Sequence, residues 1–143
     1  MFLLDTNVVS ELRKAKSGKL DKNVRAWAAD NPVAGLFVSA ITVQELEIGV
    51  LRVERRDPAQ GAMLRTWLES QVLPSFAERI LPVDAAVARR SAGLHVPNTR
   101  PFRDALIAAT ALVHGMTVAT RNARDFEPTG VSILDPWESS AAS

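Results

Sequence analysis

Short apolar runs along the chain alternate with longer stretches in which apolar residues recur every three or four positions. The first pattern is that of a buried strand and the second that of a helix packed on one face. Phe2-Leu3-Leu4, Leu36-Phe37-Val38, Arg79-Ile80-Leu81, Thr117-Val118-Ala119 and Val131-Ser132-Ile133-Leu134 read as strands. A helix starts at Asp5-Thr6-Asn7 and frays in the stretch 14–18, and another carries Leu20, Val24, Trp27 and Ala28 and ends near Asn31-Pro32. Val43, Leu46, Val50 and Val53 share one helical face. Asp57-Pro58 opens a further helix whose inward face is expected to hold Met63, Leu64, Trp67, Leu68 and Val72. Asp84 caps a helix with Val87, Ser91 and Leu94 that stops around Pro97. The last helix, from about Phe102 to His114, is apolar nearly all round and meets a glycine stop at Gly115.

Strands alternating with helices predict βαβ units, hence an α/β fold with a parallel sheet. Sites in such sheets form beyond the carboxyl ends of the strands. The four acids Asp5, Glu45, Asp104 and Asp125 all fall at or near such ends or at the start of a helix. Carboxylates gathered at one rim repel each other, and a divalent cation is the usual remedy. Each acid also has a purely structural explanation. Asp5 suits a helix N-cap, and Thr42 with Glu45 matches a capping box. Asp104 suits a helix N-cap or first turn and Asp125 a loop turn. Gly49, one turn beyond Glu45, suggests that something approaches that face closely, because glycine inside a helix costs about 1 kcal/mol relative to alanine.

Composition narrows the picture. A length of 143 residues with 47% hydrophobic content suits one domain, expected over residues 1–137, with a loose small-residue tail at 138–143. There is no cysteine, which excludes disulfides and thiolate metal sites. The apolar run before Asp5 is too short for a signal peptide or membrane span, so a cytoplasmic location is expected. The net charge of +1 says little, but its distribution says more. Arg100 and Arg103 precede Asp104, and Arg121 and Arg124 precede Asp125. Basic residues alternating with acids suit a phosphate-bearing substrate, although ordinary surface charge explains any one of them. His95 and His114 lack a metal-type partner one turn away, and no glycine-rich phosphate loop or nucleophile elbow is present.

The segments LLDTNVVSEL (3–12), SAITVQELEIG (39–49), DALIAATAL (104–112) and VATRNARDF (118–126), in that order, resemble the PIN-domain family, and within it the VapC and FitB toxins of bacterial toxin–antitoxin modules. The closing Asp135-Pro136-Trp137 is similar to the FitB-like branch. The resemblance implies a three-layer α/β/α domain around a parallel sheet of four to five short strands. It further implies Mg²⁺- or Mn²⁺-dependent cleavage of RNA with one or two ions, a homodimer, and inhibition by a cognate VapB-like antitoxin. Asp5, Glu45 and Asp104 match the three firmest family acids. Close FitB-like relatives carry Asp where this chain has Asn122, and other members use the acid that is Asp125 here. Thr6 and Thr120 match supporting hydroxyl positions, and Asn7 lies beside them. Arg100, Arg103, Arg121 and Arg124 are the expected contacts to RNA or antitoxin.

Two rivals stand beside the nuclease. A catalytically idle PIN-like module would bind RNA or protein without cutting, and Asn122 is its only hint. A phosphatase using Asp5 as nucleophile would want a second Asp two residues on, where Asn7 stands.

Overall fold

The computed structural model describes residues 1–138; the tail expected at 138–143 lies almost wholly outside the described residues. Five strands, β1 (Phe2–Leu4), β2 (Leu36–Ser39), β3 (Ile80–Leu81), β4 (Thr117–Ala119) and β5 (Ile133–Leu134), form one sheet in the order β3-β2-β1-β4-β5. Every neighbouring pair is parallel, with Leu4 opposite Ala119 and Leu3 opposite Phe37. The two outer strands are shorter than the apolar runs that announced them.

The helices are α1 (Thr6–Leu12), α2 (Lys22–Asp30), α3 (Ala40–Arg56), α4 (Pro58–Trp67), α5 (Leu73–Phe76), α6 (Ala85–Leu94), α7 (Phe102–His114) and α8 (Ala123–Phe126). Side chains of consecutive strand residues point to opposite faces. Leu4 accordingly sits in one core with Val8, Val38, Leu46, Val50 and Leu68, while Leu3 sits in another with Ile107, Ala108, Val118 and Phe126. Both leucines are fully buried, so the central strand is covered on both sides and the domain has three layers.

Two expectations need correction. Met63 points to solvent, 74% exposed, because the apolar stripe of α4 turns through Leu64 and Trp67 instead. The capping box at Thr42 does not form: β2 runs straight into α3, and the Ser39 hydroxyl accepts the Ile41 N–H at 3.0 Å. The helix opened at Asp57 runs on past Val72. A single wide turn, Leu68–Val72, in which the Leu73 N–H reaches back to the Leu68 carbonyl, carries it on into α5. Pro74 explains the widening, since proline has no N–H to give and its ring crowds the carbonyl four residues earlier.

The α3–α4 hairpin is clamped by Arg65, whose guanidinium holds both oxygens of Glu54 at 2.8 and 3.2 Å and Glu47 at 2.6 Å. Gly61 lets the two helices touch, because a Cβ there would lie 2.5 Å from the Glu54 Cα.

Candidate active site

Successive connections leave β1 in opposite directions, through β2 and β3 on one side and β4 and β5 on the other. The crevice where the direction reverses is where open α/β sheets bind ligands. Asp5 follows β1 directly and Thr120 follows β4, so both stand at that crevice. Helices α1 and α3 follow their strands, and α7 runs back toward the start of β4, so all three begin at this rim. Their N-termini favour negative charge there.

Asp5 is completely buried. It caps α1 by accepting the Thr6 N–H at 2.8 Å on Oδ1. Its Oδ2 accepts the Thr120 hydroxyl at 2.7 Å and the Asn7 amide at 3.4 Å. Asn7 in turn accepts the Arg121 N–H, and the Thr120 hydroxyl accepts the Asn122 N–H at 3.0 Å. Glu45, on α3, accepts the Thr6 hydroxyl at 2.5 Å. Asp104, 9% exposed, sits in the first turn of α7 rather than at its cap, which is Pro101.

Arg103 lies at the centre of these acids. Its Nε donates to Glu45 Oε2 at 2.5 Å, its Nη1 to Asp104 Oδ1 at 2.8 Å, and its Nη2 to Asp5 Oδ1. Burial works against the charge of this guanidinium. The hydrogen bond to Glu45, the charge of Asp5 and the hydrogen bond to Asp104 outweigh that and hold its pKa above the ordinary range. A buried charge needs such partners.

The family model for the PIN domain matches residues 2–130. The chain belongs to the PIN-domain family. This PIN domain is 40% identical over 145 residues to VapC ribonuclease Y4jK of Sinorhizobium fredii, covering 96% of this chain and 99% of that one. It is 38% identical over 143 residues to toxin FitB of Neisseria gonorrhoeae, with the same coverage of 96% and 99%. The crystal structure of FitAcB from the same organism superposes with a TM-score of 0.86 at 36% identity, covering 96% of this chain and 99% of that chain.

In this PIN domain, Asp5, Glu45 and Asp104 come together around one cation, with Thr6, Asn7 and Thr120 as hydrogen-bonding supports. Asp125 is not among them. It is exposed in α8, its N–H bonded to the Asn122 carbonyl, and it lines a separate open pocket with Arg121, Asn122 and Arg124. Asn122 also faces solvent and reaches the cluster only through its backbone N–H on Thr120. Two of the four arginines bond within the chain. Arg100 is half-buried and donates from Nε to the Leu94 carbonyl at 2.5 Å, which ties the loop after α6. Arg103 turns inward to the acids. Arg121 and Arg124 are exposed, and Arg121 lies over the Trp137 ring at 5.1 Å. Among the described residues nothing approaches the Gly49 position; with Glu45, Leu46 and Trp67 it lines an open groove leading away from the cluster.

Carboxylates are the donors that Mg²⁺ and Mn²⁺ prefer, and three on separate elements converging on one positive group fit such an ion in chemistry. Among the described residues, however, no three acids stand ready around one point. The guanidinium explains the spacing. It takes one acid on each of its nitrogens, whereas an ion with bonds near 2.1 Å needs neighbouring oxygens about 3 Å apart.

No helix among the described residues is long and apolar enough to cross a membrane.

Proposed function

We propose that this PIN domain is a metal-dependent endoribonuclease and the toxin of a toxin–antitoxin pair. The observation that carries the reading is the convergence of Asp5, Glu45 and Asp104 at the crevice of the sheet. The relatives named VapC ribonuclease and toxin FitB, matched over nearly their whole length, support the activity and the role. The two-part name FitAcB supports a second component that neutralises the toxin. A homodimer and a cytoplasmic location complete the proposal.

Asp5, Asp104 and Glu45 would hold Mg²⁺ or Mn²⁺. When bound, the ion supplies positive charge against the phosphoryl oxygens and acidifies a water for attack on phosphorus. The Thr120 hydroxyl and the Thr6 N–H fix the Asp5 carboxylate from two sides, so its direction is set before any ligand arrives. The Thr6 hydroxyl does the same for Glu45. Arg121 and Arg124, exposed beside the crevice, would take the RNA phosphates. Asp125 and Asn122 would serve a second ion only through water or after the loop that carries them moves inward.

Asp5 as a phosphoryl-accepting nucleophile is a poor alternative, because both its oxygens are already committed to donors and it is fully buried. The idle binding module is favoured by one observation, the neutralisation of the acids by Arg103. The deciding experiment is RNA cleavage by purified protein in Mg²⁺, Mn²⁺ or EDTA, with Asp5→Asn alongside. Cleavage that needs metal and disappears in the variant is expected. RNA binding without products under any metal would replace the nuclease with the binding module.

A further inference from the structure

We propose that Arg103 is a built-in stopper of the acidic cluster, its guanidinium occupying the place of the divalent cation, so that metal enters only as Arg103 withdraws. The inference rests on the metal-dependent reading and deepens it, since it makes metal access a property of this chain's own side chain.

The hydrogen bonds carry the argument. Asp5 Oδ1 is taken by the Thr6 N–H and Arg103, and Asp5 Oδ2 by Thr120 and Asn7. Glu45 Oε1 is taken by Thr6, Glu45 Oε2 by Arg103, and Asp104 Oδ1 by Arg103. Among the described residues Asp104 Oδ2 is the one carboxylate oxygen of the three acids with no hydrogen-bond partner, and a single oxygen is a poor site for a divalent cation. Arg103 therefore holds the oxygens that an ion would need. It also holds them apart, as its planar fork spreads three acceptors around its edge. Like charges exclude each other at this range: two positive centres about 4 Å apart repel strongly even when water screens them in part. The two cations thus compete for the same oxygens.

Arg103 can withdraw. It is 31% exposed at its side chain, in the first turn of α7, so its guanidinium has a path to solvent. The fixed parts of the site, Asp5 held by Thr6 and Thr120, do not depend on it.

The test is Mn²⁺ binding to full-length protein by calorimetry and by the loss of the free-ion paramagnetic resonance signal, in wild type, Arg103→Gln and Arg103→Lys. Arg103→Gln should bind Mn²⁺ at least about tenfold more tightly than wild type. Arg103→Lys, which keeps the charge but cannot span three acids, should fall between. Thermal melts add a second readout. Without metal Arg103→Gln should melt below wild type, and saturating Mn²⁺ should raise its melting temperature by more than it raises that of wild type. If the variant is too unstable to study, side-chain NMR of wild type answers the question: Mg²⁺ should shift the Arg103 Nε–H signal and speed its exchange with water. Equal or weaker Mn²⁺ affinity in a folded Arg103→Gln, or an Arg103 signal indifferent to saturating Mg²⁺, overturns the stopper while leaving a metal-dependent nuclease intact. No Mn²⁺ binding by any folded form overturns the metal reading, and the stopper with it.

Discussion

Replacing Asp5 or Asp104 by asparagine removes the same charge from the same cluster, yet the structure predicts different costs to the fold. All the recorded partners of Asp5 are donors: the Thr6 N–H and Arg103 on Oδ1, the Thr120 hydroxyl and the Asn7 amide on Oδ2. An asparagine must aim its NH₂ at one of those pairs. The Oδ1 side is closed to it, because a backbone N–H and a guanidinium cannot turn to accept. On the Oδ2 side the Thr120 hydroxyl can offer a lone pair, but its own proton then loses its acceptor. One charge-assisted hydrogen bond in a fully buried place is lost, at about 1.5–3 kcal/mol. Asp104 has a single recorded partner, Arg103 on Oδ1, and an amide oxygen can still receive it. Relief of repulsion among the acids is common to both changes and cancels in their difference. Asp5→Asn should therefore be less stable than Asp104→Asn by about 2 kcal/mol, close to 1 M in urea midpoint at a slope of about 2 kcal/mol/M. RNA cleavage should fall in both by at least about a hundredfold, as loss of an ion's charge stabilisation is worth several kcal/mol. Urea titrations and metal-dependent cleavage on the same preparations check this. Coincident midpoints would refute the hydrogen-bond reasoning, and wild-type cleavage by a folded Asp104→Asn would refute its place in the site.

Gly61→Ala should destabilise by about 1–2 kcal/mol, since the Cβ would strike the Glu54 backbone at 2.5 Å and overpacking outweighs the helix-propensity gain of about 1 kcal/mol; a raised melting temperature would contradict this. Glu11 accepts the Asp21 N–H at 3.0 Å, and this bond, against the opposing effect of burial and with help from Lys14, lowers its pKa below the ordinary 4.5. A lowered folded pKa means that the stabilisation is fully present above the unfolded value and disappears as pH falls through the folded one. The stability gap between wild type and Glu11→Gln should thus be constant from pH 6 to 8 and close progressively below about pH 4.5, where urea midpoints at pH 7, 5, 4 and 3 would detect a gap that failed to close.

Much of this was legible in the sequence because it is local. An aspartate straight after a three-residue apolar strand can only stand at the strand's carboxyl end, and the apolar helix that starts at Phe102 is buried along its middle, although Phe102 itself is exposed. The parallel sheet followed from strands separated by helices. What sequence could not show depends on the reach of long side chains and on exact register. Arg103 and Asp104 are neighbours in a helix and point about 100° apart, so nothing in their adjacency says that the arginine curls back onto Asp104 and across to Asp5 and Glu45. The cap is Ser39, three residues before the Thr42 signal, because β2 passes into α3 without a loop. Met63 faces solvent against its pattern because the stripe of a short helix can be drawn two ways. Asp125 has the right neighbours in sequence but sits on a turn that faces solvent.

The bond from Thr120 to Asp5 joins residues 115 positions apart, and β1 can pair with β4 only across that interval. A ribosome makes Asp5 early and Thr120 late. Until β4 emerges, the central strand lacks one of its two neighbours and Asp5 lacks the hydroxyl that aims it. Closing so long a loop is also slow, because its entropy must be lost before the contact repays it. A nascent chain therefore has no finished site until β4 and Thr120 have emerged. A protein that cuts RNA would in this way be spared from acting on the message that encodes it until that point of its own synthesis.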